Sequence, residues 1–440
     1  MTSFKPKNFY AGATWLFSVV VALAVLLVPA GARAEIDGVT GSAFSLTASE
    51  GYISIADGGS IYSWGYSTGP QMQLPGTTLI VTEGVPVTVT LNNSLPLAAG
   101  NVSIVFPGHQ VSASGGVPGA LTQEAPVGGS VTYTFTPGEP GTYQYHSGTR
   151  PDLQVEMGLY GALIVRPADS LYTGCAYSHA ATCFDREHLF LLSEIDIQVH
   201  QAAEDQASGP GPIYIGTGSF QSEYWLLNGR AAPDTMGAAG ADLLPNQPYN
   251  SLPTMYPGEK LLLRIVGAGR EMHPFHTHGN HSQVIARDGR LLVSATDSNQ
   301  LAGPLLFTIP SVPGGTVDSI FEWTGQDLGW DMYGHASNAV FCDQETHTAT
   351  ASYPATTQSD SDRCKPIPVT LPSLSSLAFG GFYSGSPFLG ALGSLPPGEG
   401  GLNPNAGFSY MWHSHNEREL VNNDVFPGGM MTMLIIEARP

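Results

Sequence analysis

The sequence predicts an all-β protein built from two copies of one β-sandwich or small-barrel domain, and three observations carry that prediction. Glycine and proline are abundant, 53 and 34 of 440 residues, while only 12% of residues are charged, which is the composition of a chain that turns often between short strands. Strand-like runs recur between the turns: Thr78 to Thr82, Pro86 to Leu91, Ser130 to Phe135, Gly158 to Val165, His188 to Ile195, Lys260 to Val266, His281 to Ala286 and Met431 to Glu437. Long helical periodicities are absent. Finally, GTYQYHSGTRPDLQVEMGLYGALIVRP and the closing GFSYMWHSHNERELVNNDVFPGGMMTMLIIEARP both place an aromatic-flanked His-Ser 15 residues before a glycine, Gly161 or Gly428, that leads into an apolar strand. That period is too long for a solenoid unit and reads as duplication of a whole domain.

Taken in order, residues 1–34 read as a secretory signal. Lys5 and Lys7 precede an apolar run from Trp15 to Val28, and Ala32-Arg33-Ala34 supplies the small-residue cleavage site. An uncleaved anchor is the rival reading, because the apolar run is long for a signal. The mature chain is expected to begin at Glu35 and to be secreted, periplasmic or extracellular. No later segment is apolar for long enough to span a bilayer, so no membrane partner is expected after cleavage. The net charge is −20, and residues 1–34 hold three basic and no acidic residues, so the mature chain is more acidic still. That balance argues against nucleic acid, whose binding relies on Lys and Arg displacing counterions; it suits solubility and cations.

About 400 residues exceed one ordinary core. The boundaries expected are a first domain at 35–169, a linker at 170–185, and a second domain at 186–440 with an insertion at about 326–406 rich in Gly, Ser, Thr and Pro. Four cysteines in an exported chain suggest disulfides, with three connectivities open. Cys175 with Cys183 and Cys342 with Cys364 is the favoured pairing, since each closes a small Ser-, Thr- and Ala-rich loop.

Chemistry concentrates in two His-x-His pairs, His276 with His278 in HPFHTHG and His413 with His415 in WHSH. On an extended strand the two histidines of each pair face one way. Imidazole suits copper, zinc, iron and nickel, so two such pairs converging on one pocket would hold a metal ion; pointing apart, they would be surface histidines. Glu417 and Glu419 follow with the same alternation, which leaves open a mixed histidine and carboxylate site suited to zinc, manganese or iron. Met430, Met431 and Met433 read as core filling, with a soft-sulfur Cu(I) site as the alternative.

YPGEKLLLRIVGAG, HPFHTHG, IARDG and the terminal HSH together resemble the cupredoxin domains of multicopper oxidases such as laccases and their two-domain relatives, over most of the mature chain. The resemblance implies a cupredoxin-like Greek-key sandwich or barrel in each domain and a copper cluster held between domains by four His-x-His motifs. It also implies a blue-copper site that admits electrons, and a homotrimer in which the first domain of one subunit meets the second domain of the next. Carried over, His276 and His278 match the third motif and His413 and His415 the fourth. In the second motif His146 is present but Gly148 stands at its partner position. In the first, VSIVFPGHQ puts Val105 and Pro107 where histidines belong, with His109 as the substitute two residues on. The metal ligands expected are therefore His276, His278, His413, His415, His146 and His109, and the metal is copper, with zinc or manganese as alternatives.

The blue-copper site is degenerate. The family cysteine position is Ser414, a later histidine position is Glu419, and His273 matches the remaining histidine. Gln144, Tyr145 and Ser147 around His146 supply no cysteine in the first domain either. The expected function is that of a secreted copper-binding protein of multicopper-oxidase type, with residual oxidoreductase chemistry and no type 1 copper. Two alternatives stand beside it: an active oxidoreductase whose substrate gives electrons directly to the cluster, and a non-catalytic structural or assembly protein with relic histidines.

Overall fold

A computed structural model describes residues 36–323 and 407–437, together with the backbone of 342–343, 348–349 and 385–386. The signal reading, nearly all of the insertion and the Cys342–Cys364 pairing lie outside the described residues. The chain divides between Ala34 and Glu35, and the architecture below belongs to the unit that starts at Glu35.

The first half supplies β1 (Ala43–Ser54), β2 (Ser60–Ser67), β3 (Gly76–Thr82), β4 (Val87–Asn93), β5 (Ser130–Phe135), β6 (Gly141–His146) and β7 (Tyr160–Arg166). One sheet runs β2-β1-β4-β5 and is edged by Ser112–Gly115; the other runs β3-β7-β6 and is edged by Val39–Thr40. β4 alternates strictly between buried and half-buried residues because its sequence VTVTLNN alternates. β7, YGALIVR, is apolar almost throughout and is buried on both faces. Between the sheets, Leu46, Trp64 and Val89 meet Leu79, Tyr145 and Leu163 in one core.

The second half supplies β8 (Arg186–Ile195), α1 (Ile197–Ala207), β9 (Tyr224–Leu227), β10 (Lys260–Gly267), β11 (His273–Thr277), β12 (Ser282–Arg287), β13 (Thr308–Ser311), β14 (Thr316–Glu322), β15 (Gly407–Ser414) and β16 (Met431–Glu437). Its sheets run β9-β8-β10-β14-β12 and β16-β15-β11-β13. Phe190, Leu263 and Phe321 from the former pack on Phe275, Trp412 and Leu434 from the latter. The all-β expectation of two cupredoxin-like sandwiches holds.

A third apolar cluster joins the halves: Ile80, Ala162 and Ile164 of the β3-β7-β6 sheet lie against Leu189, Leu191 and Val266 of the β8-β10 sheet. Among the described residues the four sheets therefore stack in layers, with the β16-β15-β11-β13 sheet at one end. A buried ionic network crosses the same boundary. Arg264, fully buried, reaches Glu187 at 2.9 Å and Asp318 at 3.9 Å, and Asp318 accepts hydrogen bonds from Thr142 Oγ1 (2.5 Å) and Tyr177 OH (2.6 Å). Burial works against the Arg264 charge, but Glu187 and Asp318 outweigh it and hold the guanidinium protonated.

One element departs from the expected pattern. α1 is an 11-residue helix where no helical periodicity was expected. Asp196 caps it by accepting from Gln198 N at 2.9 Å, and it buries only Val199, His200 and Ala203. So narrow a buried face leaves little periodic signal. Cys175 and Cys183 are disulfide-bonded across eight residues, as the local pairing predicts. No helix among the described residues is long and apolar enough to cross a membrane.

Candidate metal centre

β11 and β15 are antiparallel neighbours in register: Phe275 faces Ser414, His276 faces His413 and Thr277 faces Trp412. Because side chains alternate, Phe275 and Trp412 enter the core while His276 and His413 take the outer face of the outermost sheet. His278 and His415 follow just beyond the strand ends, and His415 N donates to Pro274 O at 2.8 Å, which keeps the two strands together through the second histidine. Trp412 Nε1 donates to the His278 carbonyl at 2.9 Å and fixes the other end.

The four rings converge. Ring centres lie 4.8 Å apart for His276 and His278, 4.8 Å for His276 and His415, and 5.2 Å for His278 and His413. One ligand nitrogen from each of His276, His278 and His413 falls within 4.8 Å of the others. His278 Nε2 and His413 Nε2 stand 3.3 Å apart. Two nitrogens each about 2.0–2.1 Å from a tetrahedral ion stand at roughly that separation.

Bonds from outside the cluster orient two of the rings and set one tautomer. His413 Nδ1 is 2.6 Å from the Ser414 carbonyl, which can only accept, so the proton sits on Nδ1 and the Nε2 lone pair faces the other rings. His276 Nδ1 is 2.7 Å from Thr308 Oγ1, a hydroxyl that can donate or accept and so orients the ring without fixing its proton. Burial, reinforced by His278, His413 and His415, lowers His276 to a pKa of about 4, and burial lowers His413 too. Both are neutral near pH 7, the state in which imidazole binds metal. The cluster is walled on one side only: His276 and His413 are 6% and 7% exposed, whereas the His415 side chain is 52% exposed.

Two of the six expected ligands lie elsewhere. His109 is packed between Phe135 and Tyr143, with ring centres 5.1 and 4.4 Å away, and is outside the convergent group. His146 is also outside that group, at the end of β6, a strand whose sheet packs against the inner sheet of the second half. Yet His146 repeats the His413 arrangement, with Nδ1 3.0 Å from the Ser147 carbonyl, so the repeated His-Ser is repeated in hydrogen bonding as well. Val105 pairs with His146, and a Cβ placed on Gly148 would lie 2.8 Å from Val105 Cγ1. Two positions that lack family histidines are thus in contact with each other.

The carboxylates separate where strand alternation put them together. Glu417–Leu420 is a 3-10 turn, not strand, so Glu417 stays exposed, 3.3 Å from His415, while Glu419 turns into the core. A mixed site containing both glutamates, and with it the zinc or manganese alternative, loses its geometric basis. Met430 fills the core as expected, but Met431 sits half-buried directly across from His413.

On the core side of the same strands, His273 is fully buried between two carboxylates, with Nε2 2.9 Å from Glu194 Oε2 and Nδ1 2.9 Å from Glu419 Oε2. Sequence reasoning placed no role on Glu194. A lone acid inside the apolar run HLFLLSEI is the signal that could have found it.

Residues 62–170 match the family model described as multicopper oxidase. Multicopper oxidase MCE of Talaromyces pinophilus is 36% identical over 102 residues, which is 22% of this chain and 16% of that protein. Copper resistance protein A of Escherichia coli is 25% identical over 283 residues, 58% of this chain and 44% of that one. The matches thus span less than half the length of these curated relatives. Among solved structures, the blue copper oxidase from Nitrosomonas europaea superposes with a TM-score of 0.52 over 89% of this chain and 85% of its own, at 19% identity. Multicopper oxidase mgLAC gives 0.50 over 90% and 85%, at 20% identity. At such identities the likeness concerns the fold.

Proposed function

We infer that this chain, which belongs to the multicopper oxidase family through its first domain, is an exported protein that binds copper at His276, His278, His413 and His415. The observation that carries this reading is the convergence of those imidazoles on one face, with the His413 tautomer fixed so that its Nε2 lone pair faces the other rings. An all-imidazole donor set suits copper, which would supply one-electron redox chemistry when bound. The residues themselves hold the ion, keep two ligands neutral, and leave one edge open at His415 for water or a small reductant.

The reading includes no type 1 copper, since Ser414 offers a hydroxyl where a thiolate is needed. It also includes export directed by residues 1–34, cupredoxin-like domains at 35–169 and 186–440 joined by 170–185, and a homotrimer. His146 supports the trimer: its Nδ1 is fixed like that of His413, yet within its own chain it lies outside the convergent group. In the trimer it would serve the cluster of the next subunit. His109, held between two aromatic rings, is left out of the ligand set.

The test is metal analysis and electron spin resonance on purified protein, with His276→Ala and His413→Ala beside it. Stoichiometric copper that disappears in both variants is the expected result, without an intense thiolate band. Dioxygen consumption with a reductant would add oxidase activity to this reading; no copper above background in the parent protein would sink it and leave the histidines as relics.

A further inference from the structure

We propose that His273 is held as an imidazolium at neutral pH, so that a proton and not a metal ion occupies the place matching the family's blue copper, and that this clamp positions the outer histidine cluster. The second half of the proposal rests on the copper reading above; the first half does not.

Both ring nitrogens of His273 face acceptors. At neutral pH a carboxylate oxygen only accepts, and each ring nitrogen of His273 lies 2.9 Å from one. A neutral imidazole has a single N–H and would turn the other lone pair toward an anion; only the doubly protonated ring satisfies both contacts. The carboxylates cannot easily turn away. Glu194 Oε1 accepts from the backbone N–H groups of Arg270 and Glu271, and a Cβ on Gly269 would collide with the same carboxylate. Glu419 Oε1 accepts from Asn416 Nδ2 at 2.9 Å. Burial alone would lower the His273 pKa, but the hydrogen bonds it donates to Glu194 and Glu419 outweigh it and raise it to about 9.

Other charged groups nearby are already engaged. The Glu271 carboxylate accepts from Ser222 Oγ and Trp225 Nε1, the Arg270 guanidinium lies over Phe220, and that of Arg418 lies over Trp225. Ser414 Oγ accepts from Asn416 N at 3.2 Å. Copper does not fit this donor set: there is no thiolate, and either ring nitrogen would have to give up both its proton and its carboxylate.

The clamp joins three elements. Glu194 is the penultimate residue of β8, His273 opens β11 three residues before His276, and Glu419 lies in the turn that follows His415. Locking that turn onto β11 fixes the angle at which one histidine pair meets the other, through the core side of the strands that display them.

The experiment uses the full chain labelled with 15N-histidine, with His273→Gln to assign the signal. Both His273 nitrogens are expected at imidazolium shifts from pH 6 to 8, unmoved by zinc ion added as a diamagnetic probe. A neutral tautomer at pH 7, or a His273 signal displaced by zinc, overturns the imidazolium. For the positioning role, Glu419→Gln keeps a polar partner and removes one charge. It is expected to shift the His273 titration toward neutral pH and to lower copper affinity at the outer cluster about tenfold. An unmoved titration refutes the clamp, and unchanged affinity refutes the positioning role. Failure of the parent chain to bind copper would instead sink the cluster assignment and leave the imidazolium result standing.

Discussion

Thr308 shows how one hydroxyl can set a ligand. It hydrogen-bonds His276 Nδ1 at 2.7 Å and orients the ring, so Thr308→Val should remove that anchor and weaken copper binding about tenfold, while His276→Ala should weaken it roughly 100-fold or more. Chelator competition measures both, and a Thr308→Val affinity equal to that of the parent would refute the orienting role of Thr308. Ser414 and Glu419 allow a complementary gain. Ser414→Cys alone should develop no blue absorption with copper, because Glu194 and Glu419 still hold His273 protonated. Ser414→Cys with Glu419→His should develop it, since a thiolate and two imidazoles then share the core side. His273 also makes stability depend on pH. Its folded pKa of about 9 lies above the ordinary 6.5, so the folded state binds this proton more tightly. The resulting stabilisation, on the order of 3 kcal/mol, is complete below about pH 6.5, shrinks as pH rises and is gone above about 9. Urea midpoints of the parent and His273→Gln should therefore converge between pH 7 and 9.5; a constant gap would refute the linkage.

At the scale of elements, what the sequence made legible was period-two order. Ser130–Phe135 and Met431–Glu437 are strands at their expected ends, because alternation and flanking turns mark both. The same rule put His276 with His278 and His413 with His415 on one face, and it failed where a strand stopped. Carrying alternation past Ser414 paired Glu417 with Glu419, whereas a 3-10 turn sends one to solvent and the other to His273. Glu194 was hidden because its partners come from distant strands, which no local pattern displays. α1 was missed although its cap was readable: Asp196 precedes Ile197–Ala207 and accepts from both Gln198 N and Val199 N. Asp196→Ala should cost about 1–2 kcal/mol in denaturant unfolding while sparing copper affinity, since the helix packs on β2 and not on the cluster. A loss of copper binding with unchanged stability would contradict that separation.

At the scale of the molecule, stacking order decides where His146 can act. Its strand belongs to a sheet packed against the β8-β10 sheet, and the outer cluster lies on the far side of the next sheet, with the Phe190, Phe275 and Trp412 core between. Sheets pack about 10 Å apart, so β6 is separated from the cluster-bearing sheet by roughly two layers, which is far beyond any coordination bond. If His146 is a ligand, it acts on another copy, and the assembly is then part of the site. Co-expression of His146→Ala with His276→Ala separates the alternatives. Each chain alone lacks one ligand at every site. In a closed ring whose sites form between the first domain of one subunit and the second domain of the next, random mixing pairs an intact first domain with an intact second domain at about one site in four. Copper retained per subunit, and the electron spin resonance signal of the complete site, should recover to about that fraction in the mixed assembly and in neither parent variant. Sites formed within one chain would show no recovery, because every chain carries a defect, and that outcome would remove both His146 and the trimer from the description of the metal centre.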